Sequence, residues 1–407
     1  MTHPAPDTKT PPPTLLRHGR FMRVWAGQAS GAVGDQLLPV ALNLYLLREG
    51  EGITAVSLVL GGRAVALVLC LLLGGVLADR VRRIRLLLGA DVFRAALLLF
   101  TALSLTWLPF ALIPVVTALM GAAEALSRPS YRSLIPTLLP DALLERGNAL
   151  AAAAQRGSAF LGALLGATAV TALGIRPTLL AAASVYALGA LAVLRIPDPP
   201  RTRGGTSPLA DAAGGIRAVR ERPWVVAVMT AVCLQLFAGT ATSLTLLPVV
   251  ARRELGGDLA YGAVIAAFAA GALPAVVLAG RWRPAHPGAV SVLGLVGFAF
   301  VPWSLVAPLS LPGVILCFAL GGFVVELYMV YWLSALQREI PEGMRGKVLA
   351  LDQLSAFALL PVGYALVGPS VSLIGEQGTL VLGGAVCALS GLVCFFVPGV
   401  KKFGSGT

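Results

Sequence analysis

Long apolar stretches recur along the whole chain, and short polar segments separate them. A helix of about 20 apolar residues crosses the roughly 30 Å hydrocarbon core of a bilayer. It also satisfies its own backbone hydrogen bonds, which an open sheet or an irregular loop cannot do in lipid. Twelve stretches reach about that length, at 24–47, 54–78, 86–107, 109–128, 147–172, 177–195, 223–250, 260–280, 288–308, 311–333, 350–373 and 378–398. The sequence therefore predicts an all-α membrane protein with twelve transmembrane helices.

Composition excludes a soluble globule. Hydrophobic residues make up 57% of the chain and charged residues 12%, which leaves too little polar surface for a water-soluble domain. All five cysteines lie inside apolar stretches, so we expect buried thiols rather than disulfides or metal ligands. We expect neither a metal nor a cofactor.

Basic residues indicate how the helices are oriented. If the N-terminus is cytoplasmic, 24 of the 31 Lys and Arg residues lie in cytoplasmic tails and loops or at the stretch ends that border them (Arg128 and Arg195), four lie on the opposite side, and three lie in the interior of apolar stretches. Because cytoplasmic loops retain Lys and Arg, this asymmetry predicts a multi-pass protein of the cell membrane with both termini cytoplasmic. The net charge of +12 is then a topology signal, and we expect no nucleic-acid partner.

The chain contains an internal repeat. A shift of 201 residues aligns VLADRVR (76–82) with VLAGRWR (277–283), and the same shift aligns PDALLERGNAL (140–150) with PEGMRGKVLAL (341–351). Two matches at one offset, in equivalent loops, indicate a duplication. The sequence therefore predicts two pseudo-symmetric six-helix bundles.

The longest polar stretch separates the two repeats and is rich in Pro and Gly, as linkers are. The predicted domains are a disordered cytoplasmic tail (1–20), an N-terminal bundle (21–196), a cytoplasmic linker (197–222), a C-terminal bundle (223–398) and a cytoplasmic tail (399–407).

One acidic residue and four arginines follow the second apolar stretch, in GGVLADRVRRIRLL (74–87). Asp79 lies at the C-terminal end of the predicted helix, where the helix dipole already presents partial negative charge. An isolated carboxylate is unfavourable there, so we expect Asp79 to have basic neighbours or to contact the N-terminus of another helix.

This loop, together with the duplicated arrangement, resembles the major facilitator superfamily of secondary transporters. Its signature, Gly-x-Leu-Ala-Asp-Arg-x-Gly-Arg-Arg/Lys, is matched by Gly75, Leu77, Ala78, Asp79, Arg80 and Arg83. The resemblance implies that Gly75, Asp79, Arg80 and Arg83 form a conformational latch, in which the acid engages the start of the eleventh helix. RFMRVWAGQASGAVGDQ (20–36) is similar to the branch that contains macrolide efflux proteins and the enterobactin exporter.

Several ionisable residues lie within apolar stretches, where charge costs several kcal/mol and commonly marks function. Asp35 and Arg63 lie at similar depths in the first two predicted helices and are close enough to pair. This pair suits a titrating site that couples transport to protons, and it equally suits a static ion pair that helps two helices assemble.

Three further charges are candidates. Glu124 lies four residues before Arg128, which favours an ordinary pair on one helix. Glu326 has no base within one helical turn and is a second candidate for proton coupling. Arg156 would attract an anionic group or balance Asp35. We assign Asp91 and Arg94 to a charge network near the cytoplasmic ends of the helices.

The sequence lacks a Walker loop and the HExxH and GxSxG motifs, which argues against ATP hydrolysis and membrane-embedded hydrolase chemistry. We therefore expect no enzyme. The three histidines lie in tails or loops, so proton coupling would use carboxylates.

The apolar stretches offer mostly Leu, Ala, Val and Gly, which suits amphipathic solutes better than sugars. We expect a monomeric efflux transporter that exports a drug-like compound by alternating access, in exchange for protons. Export of a siderophore or peptide-like metabolite is an alternative. A transport-inactive membrane receptor or assembly protein is another.

Overall fold

The computed structural model describes residues 15–78, 82–197, 216–308 and 310–403. These residues form helices joined by short connections, with no β-strand among them. The first six helices are α1 (Gly19–Arg48), α2 (Gly52–Ala78), α3 (Arg83–Ser104), α4 (Ile113–Leu138), α5 (Asp141–Leu173) and α6 (Ile175–Val193). Short 3-10 turns occur at Leu15–Arg17, Phe110–Leu112 and Val400–Lys402.

Eight further helices follow residue 222; one of them is kinked, and a π-helical segment joins two others. They are α7 (Pro223–Leu234), α8 (Ala241–Glu254), α9 (Asp258–Arg281), α10 (Pro287–Gly297), α11 (Phe300–Trp303), α12 (Leu311–Glu339), α13 (Glu342–Ala358) and α14 (Leu360–Phe395). A π-helical segment, Gln235–Thr240, joins α7 to α8 without a break. Gly375 has φ 75° and ψ 171°, so α14 consists of two helices that meet at a kink. Glycine adopts this positive φ without the steric cost that a Cβ would add.

Helix packing repeats at the offset found in the sequence. α2 packs along α4, and α9 packs along α12, which is the same pair about 201 residues later. Between the halves, α5 packs on α9 and α2 packs on α14. A twofold axis that exchanges the halves converts one of these two contacts into the other. The architecture is therefore that of two pseudo-symmetric helical bundles.

A matched pair of glycines shows how these helices approach closely. A Cβ on Gly121 of α4 would lie 2.9 Å from the backbone oxygen of Arg63 in α2. Gly322 of α12 occupies the equivalent position, and a Cβ there would collide with the backbone of Phe268 in α9. Small residues allow such contacts between membrane helices, where close packing replaces the hydrophobic effect as the driving force.

Nine of the described helical stretches are long and apolar enough to cross a membrane. One of them, Met344–Phe395, runs through the kink at Gly375, and the apolar stretch Pro287–Trp303 is shorter. The all-helical membrane fold is confirmed, and the count of twelve helices and the domain boundaries stay predictions.

Candidate functional site

Six charged side chains gather inside the first bundle. This first-half charge cluster consists of Asp35 of α1, Arg63 of α2, Asp91 and Arg94 of α3, and Glu124 and Arg128 of α4. Three carboxylates face three guanidinium groups, so the cluster is neutral when all of them are ionised. Buried charges are tolerated when they are paired in this way.

Arg94 lies at the centre of the cluster and is 2% exposed. Its guanidinium lies 3.0 Å from Asp35 Oδ1 and 2.7 Å from Asp91 Oδ1. It also donates to Ser127 Oγ at 3.2 Å. Arg94 therefore ties α1 and α4 to α3 through charge-assisted hydrogen bonds.

Arg63 has a different partner from the one that depth alone suggested. Its Nη2 lies 2.6 Å from Glu124 Oε2, and its Nη1 donates to the backbone carbonyl of Asp35 at 2.8 Å. Glu124 also pairs with Arg128, the expected partner on its own helix. The expected Asp35–Arg63 side-chain pair is therefore corrected: the Asp35 carboxylate pairs with Arg94. Arg94 and Asp91 are buried in this cluster and do not belong to a network at the helix ends.

Tyr186 of α6 completes the surroundings of Asp35. Its hydroxyl donates to Asp35 Oδ1 at 2.7 Å, and its ring lies 4.7 Å from the Arg94 guanidinium carbon. The ring fits because α1 carries Gly34 opposite it, where a Cβ would lie 2.8 Å from Tyr186 Cζ. Sequence reasoning missed Tyr186; the only signal was a phenol within an apolar stretch.

A second charged pair joins the two halves. Arg156 of α5 forms an ion pair with Glu326 of α12, and each residue lies near the middle of its helix. The arginine side chain is 31% exposed and the glutamate side chain 16%. Glu326 has no base on its own helix nearby, as expected, and takes its partner from the opposite half. Arg156 balances Glu326 and not Asp35.

Polar contacts also join the halves at the end where α1 finishes and α9 begins. Arg48 Nη2 of the first half lies 2.6 Å from Asp258 Oδ2 of the second, and Arg252, in the same half as Asp258, holds the other carboxylate oxygen with its Nε 3.2 Å from Oδ1. Closer to the middle of the molecule, Asn43 Nδ2 donates to Tyr261 Oη at 3.3 Å. These contacts close the molecule at the end away from the 2–3 loop, which we call the distal end.

The loop motif is described only in part. Asp79 and Arg80 lie outside the described residues, and Gly75 lies in the last turn of α2. Arg83 begins α3 and donates to the backbone carbonyl of Ser133 in α4 at 3.0 Å, which ties the start of α3 to α4 within the same half. The latch stays a prediction.

One acid in the second half was not singled out from the sequence. Asp352 of α13 accepts a hydrogen bond from Trp332 Nε1 of α12 at 3.0 Å. Its position within an apolar stretch was the available signal. Among the described residues, no group of three or more His, Cys, Asp or Glu side chains is arranged to hold a metal ion.

Comparison with known proteins identifies the family. A model of the Major Facilitator Superfamily matches residues 24–359. The chain belongs to this superfamily. Superfamily membership makes it a multi-pass membrane transporter of small molecules, and it confirms the expectation that the chain is not an enzyme.

Two curated relatives match along nearly their whole length. The macrolide efflux protein A of Streptococcus pyogenes is 21% identical, over 94% of this chain and 97% of its own. The multidrug efflux pump Tap of Mycolicibacterium fortuitum is 22% identical, over 96% of this chain and 98% of its own.

Solved structures agree on the fold. The nucleoside transporter NupG superposes with a TM-score of 0.72 at 10% identity, covering 93% of this chain and 99% of the other. A POT family transporter in complex with 5-aminolevulinic acid gives 0.70 at 15% identity, covering 95% and 97%. At these identities the likeness shows a shared architecture and nothing about the solute.

Proposed function

We propose that this transporter is a proton-coupled efflux antiporter of the cell membrane, with both termini cytoplasmic, that exports drug-like or amphipathic compounds. Its similarity to a macrolide efflux protein and to a multidrug efflux pump supports the export direction and the substrate class. The surplus of basic residues on one side supports the orientation.

The single observation that carries the proposal is the ion pair between Arg156 and Glu326. It joins α5 of one half to α12 of the other, near the middle of both helices. Alternating access requires the halves to separate on one side while they close on the other. An ion pair across the halves is broken or strained whenever they separate at that level.

Protonation of Glu326 supplies a way to break the pair. A neutral carboxyl attracts the Arg156 guanidinium far less than a carboxylate does, and Arg156 then stays charged without its partner. The energy is of the right order, because losing one partner of a fully buried pair costs about 3–5 kcal/mol. Partial exposure lowers that figure here. Inverting a 1:99 equilibrium between two transporter conformations takes about 5.5 kcal/mol. Breaking the ion pair would therefore supply part of the free energy of the conformational change.

Asp35 is a second candidate proton carrier. It is more exposed than the other carboxylates of the first-half charge cluster, with a side-chain exposure of 13%, against 1% for Asp91 and 3% for Glu124. Protonation of the Asp35 carboxylate would release Arg94 from α1 and leave the cluster with a net positive charge. We assign Arg63, Glu124 and Asp91 to the ion-paired scaffold around it.

The test uses purified protein in proteoliposomes with an imposed proton gradient and a panel of fluorescent lipophilic compounds. We expect uptake or release of at least one compound that follows the gradient and stops when an uncoupler collapses it. Glu326→Gln removes the proposed proton carrier and should abolish the response to the gradient. Glu339→Gln, an exposed acid on the same helix, is the matched control.

Flux that persists after the gradient is collapsed would contradict proton coupling. The absence of flux for every compound, with protein that is folded and oriented, would contradict efflux of lipophilic compounds and favour a receptor or assembly role.

A further inference from the structure

A long apolar groove runs along the outer surface of the first bundle, between α3 and α6. It has a volume of about 610 Å³. Large apolar side chains form its walls, namely Leu88, Val92 and Leu99 on α3 and Leu180, Leu191 and Leu194 on α6. Between them the floor is built from alanines such as Ala95 and Ala187, whose small side chains leave the space open. The groove lies within the size range of small-molecule sites.

The groove has the length of one bilayer leaflet. From Leu88 to Leu99 the axis of α3 advances about 16 Å at 1.5 Å per residue. Half of a roughly 30 Å hydrocarbon core is about 15 Å. An extended acyl chain of one leaflet therefore fits along the groove, and its headgroup would lie beyond one end.

Two arginines stand at one end of the groove, and a single one, Arg176, lies four residues before Leu180 at the other end. Arg85 precedes Leu88 by three residues, which places the two on one face of α3. Arg195 directly follows Leu194. Both are exposed, and neither forms an ion pair with a carboxylate in the described parts of the chain. Acidic residues are absent from the lining of the groove.

The backbone at Arg195 is strained. Its φ is 65°, in the left-handed region that side chains other than glycine occupy at a cost of roughly 1–2 kcal/mol. A cation is not needed there to cap α6, because Arg23 already donates to the backbone carbonyls of Ala192 and Leu194 at 3.0 and 2.7 Å. The positive φ belongs to a turn at the end of α6, in which Leu194 has φ −57° and ψ 137° and the Ile196 N–H donates to the Val193 carbonyl at 3.2 Å, so glycine would occupy position 195 with less strain.

We propose that this groove is a binding site for an anionic phospholipid, with one acyl chain between α3 and α6 and the phosphate held by Arg85 and Arg195. Basic pockets between membrane helices attract such headgroups. The site differs from the proposed transport path, because it faces the lipid on the outside of one bundle. The inference is independent of the direction of transport.

The site has a route to the charge cluster. α3 presents Leu88 and Val92 to the groove and buries Asp91 and Arg94 on its other side. In the same way, α6 presents Ala187 to the groove and buries Tyr186. A bound lipid therefore stabilises the two helices that hold Asp35 through Arg94 and Tyr186.

The test is native mass spectrometry of delipidated full-length protein in detergent. It is titrated separately with phosphatidylglycerol, phosphatidylcholine and glycerol 3-phosphate. We expect the first equivalent of phosphatidylglycerol to bind more tightly than phosphatidylcholine, and glycerol 3-phosphate not to bind, because the groove contributes through the acyl chain. Arg85→Gln and Arg195→Gly should each lower the affinity for phosphatidylglycerol about fivefold.

Arg195→Gly separates binding from folding. Glycine adopts the positive φ freely, so the lipid-free variant should melt at or above the wild-type temperature while it loses affinity for the anionic lipid. Ala187→Phe should fill the groove and weaken both lipids. Arg281→Gln, an exposed arginine at the end of α9, should change nothing.

Three results would overturn the proposal. The first is equal affinity of the wild-type protein for phosphatidylglycerol and phosphatidylcholine. The second is an Arg195→Gly variant that binds phosphatidylglycerol as tightly as the wild type does. The third is a wild-type protein with the mass of two copies, in which Ala187→Phe restores the mass of one copy. The last result would make the groove an interface between two copies of the chain. Transport assays are separate, so a failure here leaves the efflux proposal to its own test.

Discussion

Replacing Arg94 with methionine is the most severe single change that the first-half charge cluster allows. The variant keeps a long, unbranched side chain and removes the positive charge from a residue that is 2% exposed. Two carboxylates, Asp35 and Asp91, lose their ion-pair partner, and Asp91 is itself only 1% exposed.

The magnitude follows from the burial. Removing one partner of a buried ion pair costs about 3–5 kcal/mol, because the other charge stays buried without compensation. Arg94 bridges two acids and also donates to Ser127. We therefore expect Arg94→Met to lower the free energy of unfolding by an amount in the upper part of that range. The assay is SDS-induced unfolding of the purified protein in detergent micelles, followed by the loss of helical circular dichroism.

Two further variants make the reasoning testable. Arg85→Met removes a charge from the exposed face of the same helix, and its cost in lipid-free detergent should stay within about 0.5 kcal/mol. Adding Asp91→Asn to Arg94→Met should recover part of the loss, because it removes one stranded carboxylate. If the free energy of unfolding of Arg94→Met lay within about 0.5 kcal/mol of the wild-type value, the assignment of Arg94 as the centre of the cluster would be refuted.

The remaining predictions concern packing, the distal end and the loop. Gly34→Ala places a Cβ 2.8 Å from Tyr186 Cζ, so overpacking should cost about 1–3 kcal/mol in the same unfolding assay; Gly157→Ala, which meets no atom within 4 Å, is the control, and equal losses would contradict the packing. Arg48→Gln removes a partly exposed pair and should change stability by less than about 1 kcal/mol; a loss as large as that of Arg94→Met would show that the distal contact is buried in membranes. Asp79→Asn should insert and express normally but lose transport in proteoliposomes, as the latch requires, and normal flux would exclude the latch.

Much of the fold could be predicted from the sequence because the membrane restricts the choice of structures. Apolar length alone indicates helices. The repeat at an offset of 201 residues also predicted two equivalent bundles, and the equivalent glycines Gly121 and Gly322 lie at matching helix contacts in the two halves. The number of crossings was harder to fix, because the kink at Gly375 lies inside one continuous helical stretch.

The charged partners could not be predicted, for a geometric reason. Counting residues along a helix gives the depth of a side chain but not its direction around the axis. Asp35 and Arg63 do lie at similar depths and do touch, through a backbone carbonyl. Which carboxylate faces which guanidinium depends on the rotation and neighbours of four helices, and only the structure supplies these.

The ion pair between Arg156 and Glu326 could not be predicted from the sequence for a related reason. The two residues are 170 positions apart and belong to different halves. Pairing them requires knowledge of how one bundle docks on the other. The absence of a base near Glu326 in sequence was a true signal, but it did not indicate where the partner would come from.

The most direct test of the proposed mechanism is a distance measurement between the halves. Spin labels at Thr137→Cys and Gln337→Cys, exposed positions near the ends of α4 and α12 on the side of the 2–3 loop, report their separation by double electron–electron resonance in a background without the native cysteines.

We predict that acid pH shifts the distance between the two labels when Glu326 is present. Glu326→Gln mimics the protonated acid, so its label-to-label distance should equal the acid-pH value at every pH. Distances in Glu326→Gln that still follow pH as the wild type does, or wild-type distances that ignore pH, would contradict a switch controlled by this ion pair.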